Sequence, residues 1–409
     1  MDIQEFESIM QQYDQLQTLE QVKALNEKDR ARILRQCDFL DFSFLQALNV
    51  KDNVRGKIEP IKTMKLSEIE SERERFYKIG CEAIKAGKIG ALVLAGGMGT
   101  RLGSDHAKGM YDIGMTKPVY IFQRMFENML DVVKETGAWI PLFIMTNILN
   151  DKEIKEFLIE HKCFGYNPKY IKFFVQDMSP CVDIEGNILF CKPDELAMSP
   201  NGNGGFYSSM MNAGLDEYAR ENGIEYINVF AIDNVLQRIA DPVFVGATIE
   251  SGCATGAKVV KKADPGEKVG SICLEDGLPS VVEYYEMTDE LLQAKDADGE
   301  PAYEYGVILN YLFRLKEMDG IVRNEMPVHV VKKKVPYLEK TDAGYVTVNP
   351  TEPNAFKLET LTLDFVRMMG SCLPFEVVRE REFAPIKNAM GVDSVQSARE
   401  MLLALGYEL

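Results

Sequence analysis

The stretch Ile89-Gly90-Ala91-Leu92-Val93-Leu94-Ala95, with the loop behind it, constrains this chain more than any other segment. A short unbroken apolar run bounded by glycine reads as a strand buried on both faces, the mark of a parallel sheet. It leads directly into Gly96-Gly97-Met98-Gly99-Thr100-Arg101-Leu102-Gly103 and then Lys108-Gly109-Met110. Glycines behind a buried strand let the backbone turn tightly and bring several N–H groups to a phosphate without a Cβ in the way. Arg101 and Lys108 supply positive charge there, arginine through two parallel hydrogen bonds and lysine as a mobile point charge. A glycine-rich turn with two surface cations is the plainer alternative. Leu102 stands where a third glycine would complete GxGxxG, and no GK[ST] ends the loop, so the dinucleotide-binding and Walker patterns are both disfavoured.

The rest of the chain repeats the alternation that this strand begins. Helical patterning over 118–133, 152–161 and 206–222 alternates with apolar strands over 139–145, 170–176 and 226–232, and β-rich patterning follows over 256–286. Strands alternating with helices of this length predict βαβ units, hence a doubly wound α/β fold with a mixed, mostly parallel sheet that binds ligands beyond the carboxyl ends of its strands. Ahead of the sheet, Phe6, Ile9, Met10 and Tyr13 share one helical face, and Leu16, Leu19, Val22 and Leu25 continue the stripe. The predicted organisation is an N-terminal helical region over 1–85, an α/β domain over 86–391 and a short C-terminal helix within 392–409, its core at 394–406.

The 409 residues carry 46 basic and 63 acidic side chains, a formal charge of -17. Nucleic acid and anionic membranes need a broad basic surface, so neither is expected as a partner, and any phosphate site must be locally basic. Eight cysteines at 37, 81, 163, 181, 191, 253, 273 and 372 form no CxxC pair, which suggests neither a zinc site nor a disulfide framework and fits a reducing compartment. The start MDIQEFESIM is acidic and lacks the basic and apolar runs of a secretion signal, and no stretch approaches the ~20 apolar residues of a membrane helix. A cytoplasmic protein is expected.

LAGGMGTRLGSDHAKGMYDIG resembles the signature loop of the UDP-sugar pyrophosphorylases, most of all the UDP-N-acetylglucosamine branch, usually written LAGGQGTRLG followed by PKGMYDVG. Seven further segments match in order: 173–176, 200–207, 230–234, 256–260, 282–284, 357–359 and 385–388. The resemblance implies a nucleotide-diphospho-sugar transferase fold of Rossmann-like type. It also implies formation of a UDP-sugar and pyrophosphate from UTP and a sugar 1-phosphate, with Mg²⁺ as cofactor. Arg101, Lys108 and Lys387 are implied as catalytic, and Gly96, Gly97, Gly99, Thr100, Gln176 and Gly204 as nucleotide-binding. Asn203, Glu283, Tyr284 and Lys357 are implied on the sugar side, with Asp233 at the metal. Taken without the resemblance, Asp233 reads equally as a helix cap, Glu283-Tyr284 as a cross-strand pair, Gln176 as a surface residue and Lys387 as a solvated lysine.

Where the sequence departs from that pattern, the cradle and its cations stay intact: Met98 replaces Gln, Ala107 replaces Pro, and Asn201 replaces the Asp of PDGNGG. The larger departure is Tyr303-Glu304-Tyr305-Gly306-Val307-Ile308-Leu309-Asn310, aligned with a segment reading roughly FNAGNIAN. Glu304 and Val307 fall where amide side chains help recognise an N-acetyl group, so glucose 1-phosphate or another hexose 1-phosphate stands beside N-acetylglucosamine 1-phosphate as acceptor. About twenty residues follow Lys387, so the C-terminal β-rich domain of eukaryotic members is expected to be absent. A non-catalytic UDP-sugar binder and, further off, a nicotinamide-dependent oxidoreductase are the alternatives.

Overall fold

All six residues of β1 (Ile89–Leu94) are buried, and the rest of a ten-stranded sheet is assembled around them. The computed structural model describes residues 1–38, 40–49, 55–296, 299–323, 326–341 and 344–409. On one side of β1 lie β2 (Leu142–Thr146) and β3 (Ile171–Val175), and on the other lies β4 (Tyr226–Ala231), all four parallel. Beyond these come β5 (Thr255–Lys261), β6 (Ser271–Glu275), β7 (Leu278–Val282), β8 (Tyr305–Arg314) and β9 (Cys372–Glu376), with the two-residue strand Ile58–Glu59 as the tenth, antiparallel to β6. The sheet runs β6-β8-β4-β1-β2-β3, with β8 antiparallel to β4 and β5 antiparallel to β8, while β9 is parallel to β5. The sheet is therefore mixed, as expected, with its parallel half centred on β1.

Chain order explains where a ligand can enter. The chain leaves β1 for β2 and β3 on one side and later returns to β4 on the other, so the connections diverge where β1 meets β4. That divergence opens a crevice at the carboxyl ends of the two strands. The loop beginning at Ala95 and the turn beginning at Ile232 flank it.

Helices α1 (Leu66–Lys85) and α4 (Pro242–Ser251) pack closely; α2 (Ile121–Thr136) and α3 (Asp151–Glu160) complete the connections between the parallel strands. The approach of α1 and α4 depends on two glycines. A Cβ on Gly80 would sit 1.8 Å from the Pro242 carbonyl oxygen, and one on Gly246 1.8 Å from that of Phe76. The last helix, α5 (Val395–Ala404), falls inside the expected range; the Ser394 hydroxyl caps it, accepting from the Ser397 N–H at 3.1 Å. It sinks Val395, Ala398 and Leu402 into the same core as the sheet.

The chain divides into two compact units: 1–54 with 176–208 and 326–361, and 55–175 with 209–325 and 362–409. This differs from the boundaries read along the sequence. The first three helices, Ile3–Gln12, Leu16–Lys23 and Glu27–Cys37, bury Phe6, Met10, Leu19, Val22 and Ile33 against Val182, Phe190, Leu196 and Leu358 in the first unit, whereas α1 belongs with the sheet. An apolar stripe announces a buried face but not which partner covers it, so periodicity alone joined segments that pack apart. The first unit also holds a three-stranded sheet, His329–Lys333, Ala355–Glu359 and Val182–Asp183, and three small antiparallel pairs. A second difference is local. The helix expected over 206–222 is two helices, Phe206–Asn212 and Leu215–Glu221, because Gly214 takes a left-handed conformation with φ +68°. Among the described residues no helix is long and apolar enough to cross a membrane.

Gly246→Ala is expected to lower the unfolding free energy by about 1–3 kcal/mol, because the methyl group meets backbone and the helices must move apart. Urea unfolding measures it, and an unchanged midpoint would show that the helix pair yields at no cost.

Candidate active site

The glycine loop is built from main chain. The Gly97 carbonyl accepts from Lys108 N–H at 3.0 Å, and Gly99 N–H donates to the His106 carbonyl at 2.8 Å, so residues 97–108 close on themselves as a narrow flap. Its root is fixed by two buried asparagines in the turn after β2: the Asn147 and Asn150 side-chain amides both donate to the Gly96 carbonyl, the second at 3.1 Å. With the carbonyls held, the N–H groups of Gly96, Gly97, Met98, Thr100 and Arg101 donate to no acceptor among the described residues. A Cβ on Gly97 would meet nothing within 4 Å, so packing does not require glycine there. A row of unengaged donors on a loop behind a parallel strand is an anion cradle. Arg101 is exposed on this loop and makes no ion pair among the described residues.

Charge gathers beside the cradle. Lys108 Nζ lies 3.5 Å from Asp233 Oδ2, both side chains being largely buried at 18% and 22% exposure. At that distance the ammonium keeps donors for another anion. Asp233 follows β4, and no helix begins at it; Asp241 is the residue that caps α4, so the capping alternative for Asp233 does not describe this chain. The Asp233 carbonyl accepts from Ile386 N–H at 2.9 Å, which brings in the strand of chain that carries Lys387. Lys387 Nζ pairs with Asp393 Oδ2 at 2.9 Å, and its N–H donates to the Asp393 carbonyl at 2.7 Å. Gly97, Lys108, Asp233 and Ile386, the residue before Lys387, thus lie in one chain of direct contacts at the β1–β4 crevice. The Lys387 side chain is ion-paired and still 39% exposed.

Glu283 and Tyr284 sit in the turn that ends β7, not as a cross-strand pair. Glu283 N–H donates to Glu286 Oε2 at 3.0 Å, and the Arg55 guanidinium grips Glu286 at 2.5 Å and Glu275 at 3.0 Å, so one arginine holds both the strand edge and the turn. Tyr284 is 44% exposed and edge-on to Tyr285. A Cβ on Gly270 would lie 3.5 Å from Val307 Cγ2 and 3.7 Å from Glu283 Oε2, which places the valine and the carboxylate at one corner. Glu304 is elsewhere: its carboxylate lies 2.7 Å from Lys261 Nζ and holds that ammonium above its ordinary pKa, by hydrogen bond first. Residues three apart on extended chain face opposite sides, so of the two departures only Val307 shares the Glu283 corner.

The remaining nominated residues belong to the other unit. Buried Gln176 donates Nε2 to the Gly202 carbonyl at 2.6 Å and to Asn201 Oδ1 at 3.2 Å. Its amide N–H groups therefore hold the loop, and the surface-residue alternative does not apply. Asn203 and Gly204 form the turn that follows, and Gly204 N–H donates to the Thr360 carbonyl at 2.9 Å. A Cβ on Gly204 would come within 2.6 Å of Leu361 backbone, and one on Gly202 within 2.1 Å of the Thr360 carbonyl. These glycines have a packing requirement of their own, independent of any ligand. Lys357 is half-buried in the central strand of the three-stranded sheet.

Sequence reasoning missed Asn147, Asn150 and Asn234, whose side chains clasp the functional loops. A Thr-Asn-x-x-Asn cluster directly behind a strand was the available signal for the first two. A cleft of about 440 Å³ lined by Arg73, Asn128, Arg238, Asp241, Glu382 and Tyr407 among others contains none of the nominated residues. Its Arg238 is tied to Glu135 and Asp241, so it offers an internally neutralised wall, and the free donors of the glycine loop mark the site better. No group of three or more His, Cys, Asp or Glu with metal-holding arrangement occurs among the described residues. A Mg²⁺ bridging phosphates takes only one or two carboxylates and fills its shell with phosphate and water oxygens, a demand that Asp233 fits.

Residues 42–402 match the family model described as UTP–glucose-1-phosphate uridylyltransferase. The human UDP-N-acetylhexosamine pyrophosphorylase-like protein 1 is 36% identical over 346 residues, covering 82% of this chain and 68% of the relative. The UDP-N-acetylglucosamine pyrophosphorylase of Saccharomyces cerevisiae is 34% identical over 410 residues, covering 97% and 84%. Among solved structures, the uridine diphosphate N-acetylglucosamine pyrophosphorylase of Trypanosoma brucei superposes with a TM-score of 0.82 at 25% identity, covering 99% and 85%.

The Arg55 junction is pH-sensitive. Burial pushes the Glu275 carboxyl up, but the Gly56 N–H, the Ser280 hydroxyl and Arg55 outweigh it, and its pKa falls below the ordinary 4.5. A carboxyl depressed in the folded state stabilises above its unfolded pKa and loses that contribution as pH falls through the folded one. Thermal stability should therefore drop below about pH 4.5, and Glu275→Gln should flatten that drop while lowering stability at neutral pH. An acid limb identical in wild type and variant would contradict this.

Proposed function

Because this chain belongs to the UTP–glucose-1-phosphate uridylyltransferase family and is a nucleotidyltransferase forming a UDP-sugar and pyrophosphate from UTP and a sugar 1-phosphate, we propose that its reaction is carried out at the β1–β4 crevice. The supporting observation is the meeting of unengaged loop N–H groups with Lys108 and Asp233. A sugar phosphate oxygen attacks the α-phosphorus of UTP, the bond from that phosphorus to the bridging oxygen breaks, and pyrophosphate departs with the electron pair. The nucleophile is already an anion, so the protein needs no strong base, and its task is alignment and cancellation of phosphate repulsion.

Gly96, Gly97, Gly99 and Thr100 supply the main-chain cradle for the triphosphate, with Arg101 closing over the departing pyrophosphate. Lys108 balances charge on the transferring phosphoryl group, and Lys387 approaches from the segment bonded to Asp233. Mg²⁺, when bound, supplies neutralisation of bridged phosphate oxygens, and Asp233 is the residue that would hold it. Gln176 orders the loop that carries Asn203 and Gly204, and Glu283 and Tyr284 serve the sugar 1-phosphate.

Val307 bears on which sugar is taken. An apolar branch beside Glu283 offers no partner to an acetamido group, and a missing partner at a polar subsite erodes selectivity. We propose that the enzyme accepts a hexose 1-phosphate as well as N-acetylglucosamine 1-phosphate.

Purified protein with UTP, Mg²⁺ and a panel of hexose and N-acetylhexosamine 1-phosphates should release pyrophosphate, with kcat/KM values for the two classes within about 100-fold of each other; no release with any acceptor overturns the reading. Val307→Asn should shift the ratio toward the acetamido sugar, and an unmoved ratio removes this residue from specificity. Arg101→Ala should lower kcat by roughly 10²-fold or more, the scale for losing one donor to a developing anion, with the melting temperature kept. Unchanged turnover would move the phosphate site elsewhere.

A further inference from the structure

Lys258, on β5, has no exposed surface, and neither the phosphate cradle nor the sugar side uses it. Its Nζ lies 2.5 Å from Glu382 Oε2, 2.9 Å from the Arg238 carbonyl and 3.6 Å from Asp241 Oδ2. Taking an ion pair out of water is costly, and well-packed apolar residues in its place are often neutral or stabilising. Stability alone is therefore a weak reason for this pair, and the groups that it joins supply a better one.

Glu382 Oε2 also accepts from Arg238 N–H at 3.2 Å, so one carboxylate oxygen ties the chain after β4 to the chain after β9. Asn234 makes the second tie: its amide donates to the Glu382 carbonyl at 2.7 Å, and its oxygen accepts from Ala384 N–H at 2.9 Å. The third is between main chains, Val235 N–H to the Ala384 carbonyl at 3.3 Å and Ile386 N–H to the Asp233 carbonyl at 2.9 Å. The stitched segments, 233–241 and 382–387, begin with Asp233 and end with Lys387. A carboxylate that meets metal and phosphate and a lysine from far along the chain are thus set in register by a buried crosspiece behind them.

We propose that Lys258 and Glu382, together with Asn234, are positioning residues for uridylyl transfer, fixing Lys387 relative to Asp233. The inference rests on the roles given to Asp233 and Lys387 above. It differs from a purely structural role in one measurable respect: a brace that acts through Lys387 has nothing left to position once that side chain is gone.

The test is a double-mutant cycle on the full chain, scored by pyrophosphate release. Lys258→Met with Glu382→Leu removes both charges together. It should leave the urea midpoint near wild type while lowering kcat by about 10–100-fold, the range typical when a supporting shell is lost. Made in a Lys387→Ala background, the same change should cost less than about threefold more, since coupled residues are non-additive. Should the double variant not fold, Glu382→Gln, which keeps an acceptor for Lys258 and Arg238, is carried through the same cycle under the same criterion. An equal factor in both backgrounds, or wild-type kcat in a folded variant, overturns the brace. Unchanged kcat in Lys387→Ala by itself overturns the site reading and the brace with it, whereas a large loss there followed by additivity overturns the brace alone.

Discussion

Two phosphate-bearing anions approach one another only where fixed dipoles and cations cancel their repulsion, and the place proposed for that in this chain is where β1 and β4 part. Parallel pairing from Tyr226–Ile89 to Ala231–Leu94 ends both strands at one level, so the glycine loop and Asp233 emerge side by side. The Lys108–Asp233 approach at 3.5 Å follows from that register. A one-residue slip of β4 would turn its side chains to the other face and carry Asp233 away. The wholly buried side chains of β1 and most of β4 make such a slip prohibitive.

The supporting contacts share one logic. Asn147 and Asn150 hold the Gly96 carbonyl, Asn234 clasps 382–384, and Gln176 holds the 201–202 turn. Each is a primary amide, which lets a single side chain fix irregular backbone without adding charge. Charges at the crevice face each other, as in Lys108–Asp233, or are paired and buried, as in Lys258–Glu382.

Much of this was legible in the residues. The apolar run at 89–95 and the glycines behind it fixed a buried strand and a tight loop with unengaged N–H groups, because continuous hydrophobicity and missing Cβ atoms have local causes. The closing helix was legible for the same reason, in Ser394 followed by an apolar period. Division of the chain into two units was not, since the first three helices bury Phe6 and Met10 against Val182 and Leu358, partners more than 150 residues away in a different sequence context. The helix break at Gly214 was visible only as a lone glycine, which helices tolerate. At Gly204 the resemblance implied a ligand, whereas Leu361 backbone already excludes a side chain there. The asparagine clasps escaped notice because an amide's partner is a carbonyl, which every residue carries.

The most direct measurement of the central claim is the turnover of Lys108→Met and Asp233→Asn in pyrophosphate release, with far-UV circular dichroism and urea midpoints recorded alongside. If the β1–β4 crevice is where phosphate charge is neutralised, each change lowers kcat by roughly 10²-fold or more while the fold persists, and Asp233→Asn also raises the Mg²⁺ concentration needed for half-maximal rate. Folded variants that turn over as fast as wild type, at an unchanged Mg²⁺ requirement, would contradict it.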